Sequence, residues 1–291
     1  MSEFVIEEIR PEFGAEIRGL DLHDTLKGED RRRLREAFDN RGALLFRDVE
    51  VTAEDQMALA GILVGGDVPS DRSGLDRFAH LYPTNVSNRD ENGNAPYGSL
   101  LFHSDMMWSE SPMELLSLYG IDVEQPSVPT IFCSATDAWV RLPDDVRSRI
   151  EGLSAMHVTG QQQRGGNTEE LLNPIRRETR STTKPVGFPH PRTGRTILYV
   201  SQMMTSEIVG LPPDESEELL ETLFSYLYDP DHLWQHDWRE GDLVLWDNLA
   251  LQHARPTVSL EGPARTLRKV IAPVLGKSVT GAETPRFSKV G

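Results

Sequence analysis

The spacing of its apolar runs constrains the fold of this chain most. The runs are strand-length, they outnumber the amphipathic helices, and they lie far apart in sequence. Phe4 to Ile9, Ala43 to Phe46, Leu115 to Ile121, Thr130 to Ser134, Thr196 to Val200, Asp242 to Trp246 and Ala264 to Val274 all read as strands. Gly28 to Asn40, Thr52 to Leu63, Asp144 to Leu153 and Asp214 to Tyr228 read as helices, with Thr52 as the cap of the second. That pattern favours a mainly β, sheet-on-sheet core with flanking helices. No internal repeat and no linker between two compositions is visible, so residues 1–291 read as one domain. Two polar, irregular stretches interrupt it, at about 67–100 and 160–185, and loops of that length in a compact domain are expected to be functional lids.

Charge narrows the partners. Thirty Lys and Arg against 46 Asp and Glu leave a net charge of −16, which disfavours nucleic acid or an anionic membrane. An anionic small molecule would need a local cluster of cations to overcome that field. No apolar run approaches the ~18 residues of a membrane span, and no secretory signal is visible at the first residues. A single cysteine, Cys133, agrees with a reducing cytoplasm. A homo-oligomer stays open.

Two contexts carry chemistry. In Leu101-Phe102-His103-Ser104-Asp105, residues two apart on an extended segment share a face, so His103 and Asp105 reach one point together. An imidazole and a carboxylate there make two-thirds of the site used by non-haem Fe(II) oxygenases, although His-x-Asp alone is a weak signal. The second context is Gly241-Asp242-Leu243-Val244-Leu245-Trp246-Asp247-Asn248 running on to His253, a buried strand ending in a polar turn. Twelve residues beyond His253 comes Arg265, in a strand-like segment that also carries Arg268 and Lys269. On an acidic protein such a cluster asks for an anion, and a guanidinium grips a carboxylate with two parallel hydrogen bonds.

With those residues the sequence resembles the Fe(II)/2-oxoglutarate-dependent dioxygenases of the taurine and 2,4-dichlorophenoxyacetate dioxygenase type (TauD/TfdA), which share a His-x-Asp … His … Arg order. Phe13-Gly14-Ala15-Glu16-Ile17-Arg18-Gly19-Leu20-Asp21-Leu22, Arg41-Gly42-Ala43-Leu44-Leu45-Phe46-Arg47-Asp48, Pro191 to Val200 and Trp246-Asp247-Asn248 extend the resemblance over nearly the whole chain. It implies a double-stranded β-helix (jelly-roll, cupin-like) core, Fe(II), and 2-oxoglutarate and O2 as co-substrates. By position it implies His103, Asp105 and His253 as metal ligands, with Arg265 on the far carboxylate of 2-oxoglutarate and Thr130 as a hydroxyl that bonds the same co-substrate. A second cation falls on Arg268 or Lys269, with Arg268 placed toward the co-substrate and Lys269 toward the substrate, and Arg255 a third candidate. His80, Phe102 and Trp108 fall where substrate contacts are drawn. The implied activity is oxidation, by hydroxylation, of a C–H bond in a small, anionic molecule, with release of succinate and CO2. Related halogenases carry a small residue at the position of Asp105, so a carboxylate there favours hydroxylation or desaturation.

Plainer readings stand beside these. Phe102 and Trp108 are explained about as well by aromatic packing, and His23, His157, His190, His232 and His236 lack partners at a meaningful spacing. Two histidines and an aspartate also suit zinc in a hydrolase, but such an enzyme has no need of the Arg265–Thr130 pair. A non-catalytic jelly-roll binding protein is the third reading, and the intact ligand set speaks against it.

Overall fold

Strand β3 (Ala43–Phe46) shows how the core is built. Ala43 and Leu45 point into one hydrophobic cluster, Leu44 and Phe46 into another, as the two-residue repeat of a strand requires. All four are buried, so the strand lies between two layers.

The computed structural model describes residues 4–22, 26–65, 83–110, 113–159 and 180–273. Around β3 the chain runs through β1 (Val5–Glu8), β2 (Ala15–Arg18), α1 (Gly28–Arg41), α2 (Ala53–Gly65), β4 (Thr84–Ser87), β5 (Gly98–His103), β6 (Met113–Val123) and β7 (Thr130–Ser134). It continues through α3 (Ala135–Arg141), α4 (Asp144–Ile150), β8 (Ser154–Val158), β9 (Ser181–Pro185), β10 (Gly187–Pro189), β11 (Thr196–Leu198) and β12 (Thr205–Ile208). Helix α5 (Pro213–Leu227) precedes β13 (Leu233–His236), β14 (Leu243–Asp247), β15 (Leu251–Val258) and β16 (Arg265–Pro273).

Seven strands form one sheet, in the order β1-β2-β3-β14-β6-β16-β4, and four form another, in the order β13-β7-β15-β5. From β5 to β7, and again from β13 to β16, the chain alternates between the two sheets, which is the winding of a jelly roll. Leu45, Leu116, Val244, Trp246 and Leu267 of the large sheet meet Phe132, Trp234 and Leu251 of the small one in a single cluster between the sheets. Leu34 and Phe38 of α1 and Leu59 and Leu63 of α2 cover the outer face of the large sheet. Helices α3 and α5 build a third cluster against β8, β11 and β12. Thr52 caps α2 reciprocally with Asp55: its hydroxyl oxygen accepts from the Asp55 amide, and the carboxylate accepts from the Thr52 amide, both at 3.1 Å.

The two polar stretches are not wholly loop. Thr84–Ser87 pairs with β16, and Ser181–Pro185 pairs with β8. Both are sheet-edge strands with few apolar residues, which is why an apolar pattern does not reveal them. Most of the remainder of these stretches, residues 66–82 and 160–179, lies outside the described residues.

His157 on β8 is fully buried, and its Nδ1 lies 3.1 Å from the Thr205 hydroxyl. Burial, and behind it the charge of Lys184, pushes its pKa down to about 3. An unfolded histidine protonates near pH ~6.5, so this contribution to stability is whole above that pH and is lost as pH falls toward the folded value. At pH 5 the loss is roughly 2 kcal/mol. His157→Gln is therefore expected to flatten the decline in melting temperature between pH 6.5 and 4, and an unchanged slope would assign the acid lability elsewhere.

Candidate metal centre

Strands β5 and β15 lie side by side with His103 directly opposite His253, which closes a gap of 150 residues. The two rings are 4.2 Å apart. Nδ1 of His103 donates to the Leu101 carbonyl at 2.7 Å. A carbonyl only accepts, so the proton sits on Nδ1 and Nε2 presents its lone pair. That Nε2 is 3.2 Å from Asp105 Oδ1, and Nε2 of His253 is 3.9 Å from the same oxygen. One donor atom from each of the three side chains falls within 4.8 Å of the others.

The electrostatics suit a cation. Burial opposes ionisation of Asp105, but the charge of Lys269 beside it holds its carboxyl well below the usual carboxylate range. Burial, then the neighbouring His103, keeps His253 well below the ordinary histidine value, hence neutral. Two imidazole nitrogens and a carboxylate oxygen therefore point at one place. A metal ion fits that donor set, and two nitrogens with one oxygen suit non-haem Fe(II).

Strand β16 brings the cations. Its odd-numbered residues face the space between the sheets: Leu267 joins the cluster there and Ile271 packs against it. Arg265 and Lys269 share that parity, and Lys269 Nζ contacts Asp105 Oδ2. Arg265 is buried, donating from Nε to the Val128 carbonyl (2.9 Å) and from a terminal nitrogen to Thr130 Oγ1 (3.2 Å). Burial and the nearby Arg255 push its pKa down to about 9, and no carboxylate of the described residues pairs with it. A buried guanidinium left without a counter-ion is costly, so an anion belongs beside it.

Thr130 adds a hydroxyl whose direction is set. Its Oγ1 accepts from Arg265 and from the indole Nε1 of Trp238 at 2.9 Å. A hydroxyl has two acceptor lone pairs, so its own proton is left to donate to a further group. Trp238, fully buried just beyond β13, had no motif to mark it. Trp238→Phe keeps the ring and removes the donor. If Thr130 serves 2-oxoglutarate as the family resemblance implies, the change is expected to cost about 1 kcal/mol, or roughly fivefold in the 2-oxoglutarate requirement, with metal affinity unmoved. Steady-state kinetics in 2-oxoglutarate beside a metal titration check this.

Other expected positions fall elsewhere. Arg268, read as a co-substrate ligand, has even parity on β16 and points out of the site toward α2. There it donates to Gln56 Oε1 (2.8 Å) and the Val51 carbonyl (2.6 Å) and lies over the Tyr119 ring. That expectation is corrected. Phe102 likewise sits on the opposite face of β5 from His103 and stacks on Tyr228 at 4.4 Å. Trp108 is buried in the cluster with Met107, Val200 and Met203, where packing accounts for it. Arg255 faces inward but is spent on the carbonyls of Ala95, Tyr97 and Gly98 at the entry to β5. His80 lies outside the described residues.

The sequence profile described as "Taurine catabolism dioxygenase TauD, TfdA family" matches residues 6–271. The chain belongs to that family. Relatives within the TauD, TfdA family include the alpha-ketoglutarate-dependent 2,4-dichlorophenoxyacetate dioxygenase of Cupriavidus pinatubonensis, 27% identical over 86% of this chain and 91% of its own. Pentalenolactone F synthase of Streptomyces avermitilis is 27% identical over 89% of this chain and 90% of its own. The fold agrees: a taurine dioxygenase from Burkholderia xenovorans superposes with a TM-score of 0.73, at 24% identity, over 93% of this chain and 91% of that one. AAD-2, solved with Mn(II) and N-oxalylglycine, gives 0.74 at 24% identity over 95% and 99%. As a TauD, TfdA enzyme the chain is a 2-oxoglutarate-dependent dioxygenase that uses Fe(II), 2-oxoglutarate and O2 and acts on a small molecule. Among the described residues, no helix is long and apolar enough to cross a membrane.

Proposed function

We propose that His103, Asp105 and His253 hold the Fe(II) of this dioxygenase, and that Arg265 with Thr130 binds the far carboxylate of 2-oxoglutarate. One observation carries the second half: Arg265 is a buried cation without a carboxylate partner among the described residues, on the sheet opposite the two-histidine, one-carboxylate cluster. A dicarboxylate answers both, with one end toward the metal ligands and the other toward Arg265.

Bound Fe(II), together with 2-oxoglutarate and O2, supplies the oxidising power that turns the 2-oxo acid into succinate and CO2 while a substrate C–H is oxidised. The residues do the placing. His103 and His253 present their Nε2 atoms, and Lys269 occupies Asp105 Oδ2 so that Oδ1 is the oxygen turned to them. The Thr130 proton and the guanidinium converge on one anionic group. Burial between the sheets keeps water from competing for both.

Lys269 is the further cation on this face, and we assign the substrate an anionic group that it draws in against the acidic surface. Relatives named for 2,4-dichlorophenoxyacetate and (S)-phenoxypropionate are consistent with such a class. Hydroxylation is the outcome we assign. Residues 1–291 form one dioxygenase domain in this reading. The partners are small molecules and neither nucleic acid nor membrane. The compartment is a reducing cytoplasm, on the strength of a single, buried cysteine.

Anaerobic addition of Fe(II) and 2-oxoglutarate tests the reading. A weak visible charge-transfer band should appear with both and with neither alone. A zinc hydrolase or a binding protein would give no band, and that result would sink the proposal.

A further inference from the structure

Asp105 lies just past the end of β5, where no neighbouring strand serves its backbone. A side chain does so instead. Asn248, in the turn between β14 and β15, accepts from the Asp105 amide at 2.8 Å and donates to the Asp105 carbonyl at 2.9 Å. Its second amide hydrogen goes to the Met113 carbonyl at 2.9 Å, and the side chain is wholly buried.

We infer that Asn248 is a positioning residue, which fixes the main chain at Asp105 so that its carboxylate meets the two imidazoles. The inference rests on the reading of His103, Asp105 and His253 as metal ligands. The residue after Asp105 shows why a clamp is needed. Met106 sits at φ 58°, a left-handed conformation that a non-glycine residue holds only where its surroundings enforce it. Pairing both main-chain polar groups of the preceding residue, Asp105, with one amide side chain provides that enforcement.

The clamp is itself anchored. The Asn248 amide donates to the Glu114 carbonyl at 2.9 Å. Its neighbour Asp247 accepts at one oxygen from the amides of Leu249 and Ala250, at 3.0 Å each. The other oxygen accepts from His190 at 2.8 Å and Arg192 at 2.6 Å, and Arg192 reaches Glu114 at 2.5 Å. Asp247, His190 and Glu114 are all buried, so this ionic cluster is shielded from water. No member of it touches the candidate metal ligands directly. Its reach is through the turn, which ends in Asn248 on one side and leads into the strand of His253 on the other. One rigid turn thus bears on two of the three ligands.

The test measures metal binding rather than turnover. Full-length Asn248→Ala, Asp105→Ala and Leu220→Ala, the last a remote core truncation in α5, are titrated with Co(II) in the absence of 2-oxoglutarate. The melting temperature of each metal-free protein is recorded alongside. Removing a residue that orients a ligand costs about 10- to 100-fold in metal affinity. Asn248→Ala should show that loss, while Leu220→Ala melts lower yet binds Co(II) like the wild type. Equal Co(II) affinity in Asn248→Ala and Leu220→Ala would reduce Asn248 to a structural role and overturn the inference. If Asp105→Ala itself bound Co(II) at full strength, the ligand reading would fail instead, so the two failures are distinct. Should Asn248→Ala not fold, Asn248→Ser supports the same comparison. Amide exchange in the wild-type, metal-free protein needs no variant at all: the Asp105 amide should be protected, and fast exchange there would refute the clamp.

Discussion

Arg265→Gln should leave the protein folded and able to bind metal, yet nearly unable to use 2-oxoglutarate. A partly desolvated Arg–carboxylate pair broken on one side costs ~2–5 kcal/mol, which is roughly 30- to several-thousand-fold in affinity. The stability side of the same substitution separates this from ordinary damage. Burial pushes the Arg265 pKa down to about 9, so the fold carries a charge it would rather shed. Glutamine removes that charge and keeps donors for the Val128 carbonyl and Thr130, so the protein without co-substrate should melt no lower than the wild type. The wild type should gain melting temperature on addition of 2-oxoglutarate and the variant should not, since a ligand stabilises only what binds it. Arg268→Gln is the control, because Arg268 points toward Gln56 on the other side of the sheet. If Arg265→Gln kept its 2-oxoglutarate affinity and Arg268→Gln lost it, the orientation of β16 would be wrong, although the oxygenase class would stand.

That contrast also shows what a sequence carries and what it does not. Once Arg265 is placed inward, a two-residue repeat puts Lys269 inward and Arg268 outward. The difference between them is therefore legible from parity alone. The same rule put His103 and Asp105 on one face and should have turned Phe102 away. The opposition of His103 and His253 is another matter. Register between strands 150 residues apart depends on how two whole sheets close on each other, and no local pattern states it. Trp238 and Asn248 were hidden for a related reason. Their roles are hydrogen bonds to partners 108 and 143 residues away, at Thr130 and Asp105, and residue type alone does not say where an indole or an amide will point. Edge strands β4 and β9 escaped because they bury little, while β3 and β14, buried on both faces, announced themselves.

The charge distribution ties these pieces together. At a net charge of −16 the surface repels anions at long range, so a dianionic co-substrate has to be held by short-range forces. Arg265 and Lys269 sit where those forces are strongest, in the low-dielectric space between the sheets. Arg255 adds positive potential there while its own hydrogen bonds stay with backbone carbonyls. The arrangement explains why the cations of the site are wholly or partly buried and not spread over its rim.

Removing either imidazole should abolish metal binding and, with it, succinate formation. His103→Ala and His253→Ala each delete one of three donors from a cluster held within 4.8 Å, and the remaining pair cannot replace it. The two substitutions differ in what else they disturb. His103 gives up its bond to the Leu101 carbonyl. His253 gives up an edge contact with Trp246 (ring centroids 5.0 Å apart) and a tilted contact with Phe132 (6.4 Å), so a cavity forms beside the core cluster. A large-to-small change there costs on the order of 2–4 kcal/mol, enough to lower the melting temperature visibly. His253→Gln fills more of that space and should recover part of the lost stability while leaving metal affinity poor. Metal titration and melting, read together on the three variants, separate ligation from packing. If any of them still formed succinate at the wild-type rate with Fe(II) and 2-oxoglutarate, the histidine it lacks would not be a ligand, and the centre would have to be sought around the other two.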